Sequence, residues 1–127
     1  MGRMLIVDDE QEIRNLMAQN FSMEGLEVDT ASVAEEAILK AKSKQYDFML
    51  VDLVLPGRLN GLDIIQRVRK VLPDIYIVAI SGFCGNEISE RVIHAGANNF
   101  VTKPFEHEEL TRLIKKSKYL KYHKNES

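Results

Sequence analysis

The sequence predicts a single α/β domain built on a parallel sheet of five strands, with helices on both faces. Five short apolar runs alternate along the chain with five segments whose apolar residues recur at helical spacing. Such alternation indicates parallel strands joined by right-handed helical crossovers. The length of 127 residues suits one domain with a sizeable core and is too short for two ordinary domains.

The strands are predicted from the apolar runs. Their predicted ranges are 4–8, 26–31, 46–53, 75–81 and 99–104. The first, third and fourth strands are nearly continuous apolar runs, as expected where helices cover both faces of a sheet. The second strand alternates apolar and polar residues, which indicates a half-buried strand at a sheet edge.

A segment with helical periodicity follows each strand. The predicted helical segments are 10–25, 32–41, 62–72, 87–96 and about 106–119. Gly25 and Gly96 are expected to end the first and fourth helices, since glycine readily adopts the left-handed conformation of a helix C-terminus. Ser32 is expected to cap the second helix in a capping box with Glu35, and Pro73 closes the third helix.

Composition excludes several classes of protein. The chain is 45% hydrophobic and 28% charged, which is typical of a globular domain and not of a disordered one. No apolar run approaches the roughly 18 residues of a membrane span, and the N-terminus lacks the long apolar segment of a signal peptide. Cys84 is the only cysteine, so no internal disulfide can form and a reducing cytoplasm is the expected setting.

The net charge of −2 conceals an acidic body and a basic C-terminus. Residues 115–127 contain five lysines and one acid, and the rest of the chain carries an excess of six acidic groups. A lysine-rich end is usually a solvated helix terminus, and the acidic body would repel DNA. We therefore expect a domain at 1–119 and a basic tail or start of a linker at 120–127, with neither direct nucleic-acid binding nor membrane binding.

Polar side chains end four of the five predicted strands. The first strand ends in Asp8 and Asp9, the third in Asp52, the fourth in Ser81 and the fifth in Lys103. The carboxyl ends of parallel strands lie at one edge of the sheet, where such folds bind ligands. Three carboxylates in one cleft favour a hard divalent cation such as Mg²⁺, and the lysine and serine suit an anion beside it. This combination is typical of phosphoryl transfer to a carboxylate.

Four motifs at these strand ends resemble those of bacterial response-regulator receiver domains. They are VDDE (7–10), LVDLVLPG (50–57), ISG (80–82) and FVTKPF (100–105), and the similarity extends from residue 4 to about residue 117. Each motif alone is weak, whereas four motifs in this order, each at a strand end, are specific. The resemblance implies a flavodoxin-like (βα)5 fold with strand order 2-1-3-4-5, which periodicity alone does not fix.

The resemblance also implies a phosphoacceptor and a set of metal ligands. Asp52 is the implied phosphoacceptor. Asp9 and Asp52 are the implied direct ligands of Mg²⁺, Asp8 is a ligand mostly through water, and the Val54 carbonyl is a further ligand. Glu10 is interpreted instead as an acid that the dipole of the first helix favours.

Further residues are implied to sense the phosphoryl group. Lys103 pairs with this group, Ser81 hydrogen-bonds it, and Phe100 occupies an aromatic switch position. The Lys103–Pro104 peptide bond matches one that is usually cis in receivers, although only ~5–6% of X–Pro bonds in folded proteins are cis. Phosphorylation is then expected to bias a two-state element made of Ser81, Phe100 and the helix at 87–95.

The loop after Asp52 departs from the family pattern. Receivers usually place a glycine eight residues after the phosphoacceptor, whereas Gly61 stands nine residues after Asp52. We therefore expect one extra residue in this loop, which affects the shape of the loop and its fit to a partner.

We predict a phosphorylation-dependent signalling switch of a two-component system, whose only catalysis is its own Mg²⁺-dependent phosphorylation and dephosphorylation. A histidine kinase or phosphotransfer protein is the expected donor. Phosphorylation is expected to change a surface of the domain that binds an unknown output domain or downstream protein. It can also produce a homodimer. Two alternatives are a haloacid-dehalogenase-type phosphatase, which would need an acid in place of Val54, and a receiver that only binds partners. The intact acids, Ser81 and Lys103 argue against the second alternative.

Two apolar residues are predicted to set the lifetime of the phosphoryl group. By the resemblance, Val54 and Phe83 flank the path of the hydrolytic water. Neither side chain can orient a water molecule, and Phe83 is large enough to cover an acyl phosphate. We therefore expect a long-lived phosphorylated state, unless Phe83 turns into solvent between Gly82 and Gly85.

Overall fold

The computed structural model describes residues 2–57, 60–83 and 85–117 with their side chains, together with the helical backbone of 118–126. The strands are β1 (Arg3–Val7), β2 (Glu27–Ala31), β3 (Phe48–Asp52), β4 (Tyr76–Ser81) and β5 (Asn99–Thr102). The helices are α1 (Gln11–Met23), α2 (Ala34–Ser43), α3 (Gly61–Val71), α4 (Asn86–Ala95) and α5 (His107–Glu126). The predicted alternation is confirmed. Cys84, for which the sequence predicts a loop, lies outside the described residues.

The five strands form one parallel sheet in the order β2-β1-β3-β4-β5. This is the order that the resemblance implied, and β2 lies at an edge, as its alternating pattern predicted. Val7 is level with Ala31 on one side and with Val51 on the other, and Ser81 is level with Thr102. The strands therefore end together, and we call this side of the sheet the carboxyl edge and the opposite side the amino edge.

Helices cover both faces of the sheet. Leu5 and Val7 belong to a buried cluster that includes residues of α2, α3 and α4, whereas Met4 and Ile6 belong to a second cluster with α1 and α5. Alternate residues of a strand point to opposite faces, so one apolar strand contributes to both clusters. This two-sided burial explains why the central strands are continuous apolar runs.

The capping box predicted for Ser32 and Glu35 is not formed. The N-cap of α2 is Val33, which makes no side-chain capping bond. The backbone N–H of Ser32 instead donates to the Glu36 carboxylate at 3.0 Å. Because α2 begins at Ala34, the acid that folds back to Ser32 is Glu36, one residue later than predicted.

A capping box occurs instead at the start of α3. The Asn60 side chain accepts hydrogen bonds from the backbone N–H groups of Leu62 and Asp63, at 3.0 and 3.2 Å, and the Asp63 carboxylate accepts one from the Asn60 N–H at 2.9 Å. These bonds satisfy N–H groups that have no partner within the helix. They fix the end of the loop that leads from Asp52.

The last helix extends beyond its predicted end near Tyr119 and continues to Glu126. Its sequence contains neither glycine nor proline, and it is rich in residues with good helix propensity, so nothing in the sequence ends the helix earlier. The predicted tail at 120–127 is therefore helical up to Glu126, and Ser127 lies outside the described residues. Among the described helices none is both long and apolar enough to span a membrane.

Candidate functional site at the carboxyl edge

Four of the predicted site residues meet at the carboxyl edge. Asp8 and Asp52 are 1% and 5% exposed, which is rare for carboxylates, and Ser81 is 1% exposed. The Lys103 ammonium lies 2.7 Å from Asp52 Oδ2 and 3.7 Å from Asp8 Oδ2. Asp9 is adjacent in the chain and exposed. The predicted convergence of strand ends therefore places one cation between two buried carboxylates.

Asp52 is held on both of its oxygens. Oδ2 accepts the hydrogen bond from Lys103, and Oδ1 accepts one from the Val54 N–H at 2.9 Å. Burial opposes the charged form of Lys103, but the hydrogen bond and charge of Asp52, with Asp8 farther away, outweigh it and raise the pKa of Lys103 above its usual value. Lys103 therefore keeps its positive charge near neutral pH. The Lys103–Pro104 peptide bond is cis, as the resemblance implied.

In this group of charged residues, Asp8 is the carboxylate whose charge is least well compensated. Burial raises the pKa of Asp8 above its usual value, and the charges of Asp52 and Asp9 add to the effect. The backbone N–H of Glu10, which donates to Asp8 Oδ1 at 2.8 Å, and the charge of Lys103 oppose the rise without cancelling it. The protein's own groups therefore leave the negative charge of Asp8 only partly compensated.

Asp8 also belongs to an acidic cluster at the start of the first helix. Asp8, Asp9 and Glu10 each offer a carboxylate oxygen, and these oxygens lie within 4.8 Å of one another. Clustered carboxylate oxygens beside an undercompensated buried acid are the donors that a hard divalent cation prefers. Glu10, interpreted from the sequence as a helix-terminal acid, is the N-cap of α1 and belongs to this cluster.

A small apolar cavity lies beside Ser81. It has a volume of about 150 Å³, and its lining includes Val54, Leu62, Phe83 and Ile88. The backbone N–H of Phe83 donates to Ser81 Oγ at 3.0 Å, while the Phe83 side chain is 64% exposed. The Ser81 hydroxyl thus accepts one bond and keeps its own proton for another partner.

Phe100, the predicted switch residue, is half-buried. It packs against the core cluster that includes residues of α2, α3 and α4. Ile88 and Ala95 of α4 contact the same cluster, so Phe100 and α4 share one packing environment. The sequence predicted this association from the family pattern alone.

Gly61 brings α3 against the strand that carries Asp52. A Cβ atom at this position would lie 2.6 Å from the Asp52 carbonyl oxygen and 2.6 Å from Leu53 Cα. The Gly61 N–H also donates to the Leu53 carbonyl at 3.2 Å. The glycine that stands nine residues after Asp52 therefore occupies a backbone contact that excludes a side chain. Two residues of the intervening loop, 58 and 59, lie outside the described residues.

One residue near the site was missed by the sequence interpretation. Arg14 Nη1 donates to the main-chain carbonyl of Asp8 at 2.8 Å. Arg14 stands one helical turn after Glu10, so an arginine spaced one turn after an acidic triplet was the available signal. Its contact is with a backbone oxygen, which no side-chain motif reveals.

Comparisons with known proteins agree on one family. Residues 4–115 match the family model described as the response regulator receiver domain. The transcriptional regulatory protein TrcR of Mycobacterium tuberculosis is 34% identical over 124 residues, which cover 93% of this chain and 47% of TrcR. The chain spans between about a quarter and a half of the length of the curated relatives it matches.

Solved structures show the same architecture. A CheY-like receiver domain protein from Methanospirillum hungatei superposes with a TM-score of 0.89 at 28% identity, over 100% of this chain and 99% of its own. A response regulator from Burkholderia pseudomallei, described as having a phosphorylated aspartic acid, a calcium ion and citrate, has a TM-score of 0.84 at 23% identity, over 98% of this chain and 73% of its own. At 23% identity, the likeness to the Burkholderia structure supports the fold alone.

Proposed function

The chain belongs to the response regulator receiver domain family, and on this premise we propose that Asp52 accepts a phosphoryl group from a phosphohistidine of a histidine kinase or phosphotransfer protein. The observation that carries the proposal is the Asp52–Lys103 pair, a nearly buried carboxylate with an ammonium at 2.7 Å on the carboxyl edge. A nucleophile and a cation at this separation suit transfer of an anionic group.

The transfer follows from the contacts of three side chains. A carboxylate oxygen of Asp52 attacks the phosphorus in line, the N–P bond breaks, and its electron pair stays on the histidine ring. Lys103, which bonds Asp52 Oδ2 in the free protein, then pairs with the negatively charged phosphoryl oxygens. The Ser81 hydroxyl, whose oxygen already accepts the Phe83 N–H, donates its proton to the same group.

We assign Mg²⁺ to a site beside the acidic cluster of Asp8, Asp9 and Glu10. The proposed ligands are Asp8, Asp9, Asp52 and the Val54 carbonyl. The undercompensated charge of Asp8 and the short distances between the carboxylates support this assignment. When bound, Mg²⁺ supplies positive charge that stabilises the transferring phosphoryl group. The Burkholderia structure, which has the same fold, is described with a bound calcium ion.

The proposed output is a change in the face that Phe100 and α4 contribute to. A single residue of α4, Val92, is fully buried among the described residues, and the N-cap residue, Gly85, has no side chain that could cap the helix. Few buried contacts make this helix easier to displace than its neighbours. The displaced face binds an output domain or a downstream protein in the cytoplasm, or pairs with a second copy. The match covers 47% of TrcR, a transcriptional regulatory protein, which leaves room for an output domain in that relative.

The test is phosphorylation by a small donor. The protein is incubated with acetyl phosphate in Mg²⁺ or in EDTA, and the acyl phosphate is trapped by borohydride reduction and located by mass spectrometry. We expect one phosphoryl group, on Asp52, that forms in Mg²⁺ and not in EDTA. A label on another residue would contradict the assignment of Asp52 as the acceptor. No label at all would contradict the proposal and favour a receiver that acts only by binding.

A further inference from the structure

Asp8 has partners at its carboxylate and at both of its main-chain polar groups. Its carboxylate accepts the Glu10 N–H at 2.8 Å and lies 3.7 Å from Lys103. Its own N–H donates to the Ala31 carbonyl at 3.1 Å, and its carbonyl accepts the Arg14 guanidinium at 2.8 Å. Two cations therefore hold Asp8, one at the carboxylate and the other at the main chain.

The carbonyl contact determines where the next residue points. A peptide unit is planar, so the Asp8 carbonyl and the Asp9 N–H lie in one plane that leads into Asp9 Cα. A donor that fixes this carbonyl therefore fixes the position of Asp9 Cα, from which the exposed Asp9 side chain leaves the backbone. Without that donor, repulsion among the neighbouring carboxylates would favour separation of Asp8 from Asp9.

Arg14 is itself placed by its surroundings. It is half-buried on the first turns of α1, and its N–H donates to the Glu10 carbonyl at 3.0 Å. Glu36 of α2 provides a negative charge nearby. The Ser32 N–H, and then the charges of Lys40 and Arg14, hold the pKa of Glu36 below its usual range. The guanidinium thus lies at the turn that carries the acids, where it donates to the Asp8 carbonyl.

We propose that Arg14 is a positioning residue for the metal site, because its hydrogen bond to the Asp8 carbonyl orients Asp8 and Asp9 for a divalent cation. The inference rests on the proposed function, since it presupposes that these acids bind Mg²⁺. Groups that orient metal ligands without touching the metal typically change metal affinity by about 10- to 100-fold when they are removed. Arg14→Met removes the donor and the charge, and Arg14→Lys keeps the charge with a shorter reach.

Titration calorimetry with magnesium chloride provides the direct measurement. We expect the Mg²⁺ dissociation constant to rise by about 10- to 100-fold in Arg14→Met and by less in Arg14→Lys. Arg112→Met, at an exposed arginine of α5, is the matched control and should bind as the parent does. Melting curves in EDTA report folding separately, because they involve no metal.

Each outcome has a distinct meaning. Parent-like Mg²⁺ affinity in Arg14→Met would overturn the inference, even if phosphotransfer from a partner kinase fell, because Arg14 would then act as a partner contact. No Mg²⁺ binding by the parent would overturn the proposed metal site and this inference with it. If Arg14→Met fails to fold, parent-like affinity in Arg14→Gln, which also lacks the guanidinium, overturns the inference in the same way.

Discussion

The two edges of the sheet treat charged groups in opposite ways. At the amino edge, Arg69 donates five hydrogen bonds to uncharged acceptors, namely the carbonyls of Gly96, Pro73 and Ile75 and the Asn98 side chain. At the carboxyl edge, one lysine serves two buried carboxylates, and the exposed Asp9 adds to their negative charge. The five bonds of Arg69 all end on neutral groups of the protein, whereas in the described part of the chain Lys103 alone faces the carboxylates of the carboxyl edge.

The same contrast extends to single carboxylates. Asp47, just before β3, accepts the backbone N–H of Arg3 at 2.9 Å and thereby ties the starts of two strands together. Asp52, at the end of the same strand, accepts a hydrogen bond from the Lys103 ammonium at 2.7 Å. Arg3 Nε is the exception at the amino edge, since it is buried without a partner among the described residues. The comparison shows that β3 has a carboxylate in a structural contact before its first residue and the proposed phosphoacceptor at its last residue.

The largest effect should come from Asp52→Asn, which removes the proposed nucleophile and preserves its shape. We expect phosphoryl uptake from acetyl phosphate to be lost completely while the circular dichroism spectrum stays that of the folded parent. Asp74→Asn, at an exposed acid of the amino edge, is the control and should be labelled normally. Undiminished labelling of Asp52→Asn would place the acceptor elsewhere and end the contrast between the edges.

Arg69→Met should affect stability and leave the chemistry intact. Removal of the guanidinium leaves several carbonyls without their donor, and such losses cost about 2–3 kcal/mol in part-buried sites. Urea unfolding measures the change in the free energy of unfolding, with Arg67→Met, at an exposed neighbour on α3, as the control. The folded variant should still take up phosphate on Asp52. A variant as stable as the parent would show that the amino-edge network contributes little.

Mg²⁺ should stabilise the fold through the carboxyl edge alone. A ligand that binds only the native state adds about 2.7 kcal/mol at a concentration one hundred times its dissociation constant. Thermal melts in Mg²⁺ and in EDTA should differ in the parent and by a similar amount in Arg69→Met. Coincident melting curves at high Mg²⁺ would count against a metal site among Asp8, Asp9 and Asp52.

The smallest expected effect concerns the lifetime of the phosphoryl group. Val54 and Phe83 are 56% and 64% exposed, so their replacement should leave the fold intact. Val54→Asn and Phe83→Glu introduce groups that can orient a water molecule, and we expect dephosphorylation to become several-fold faster at fixed Mg²⁺. Val71→Asn, at a partly exposed valine of α3, should decay as the parent does. Parent-like decay in both test variants would show that these residues do not shield the phosphate.

Much of the fold could be predicted because its determinants are local or periodic. A strand buried on both faces has to be apolar throughout, which made β1, β3 and β4 visible as runs. The acids and Lys103 were found because parallel topology brings strand ends together, whatever their separation in sequence. The order of the strands required the family pattern, because periodicity does not record which strands are neighbours.

The missed contacts share a physical cause. Arg14 and Arg69 act by donating from long side chains to backbone carbonyls, and every residue has a carbonyl, so the sequence gives no sign of the acceptor. Arg69 and Gly96 are 27 positions apart.

The capping box was assigned to Ser32 because its spacing fits, but a helix start one residue later made Glu36 the acid that folds back. The residue at which a helix begins depends on how the helix packs against the rest of the domain.

The close approach at Gly61 has a consequence for how this domain can diverge or be engineered. Any other amino acid at this position would displace the backbone that follows Asp52, so we expect a saturation library to accept only glycine there. We expect changes of length, in contrast, to be absorbed between Val54 and Asn60, where the family pattern predicts one extra residue. Lengthening or rewriting this loop should therefore change the surface beside Asp52 and leave the backbone contact at Gly61 in place.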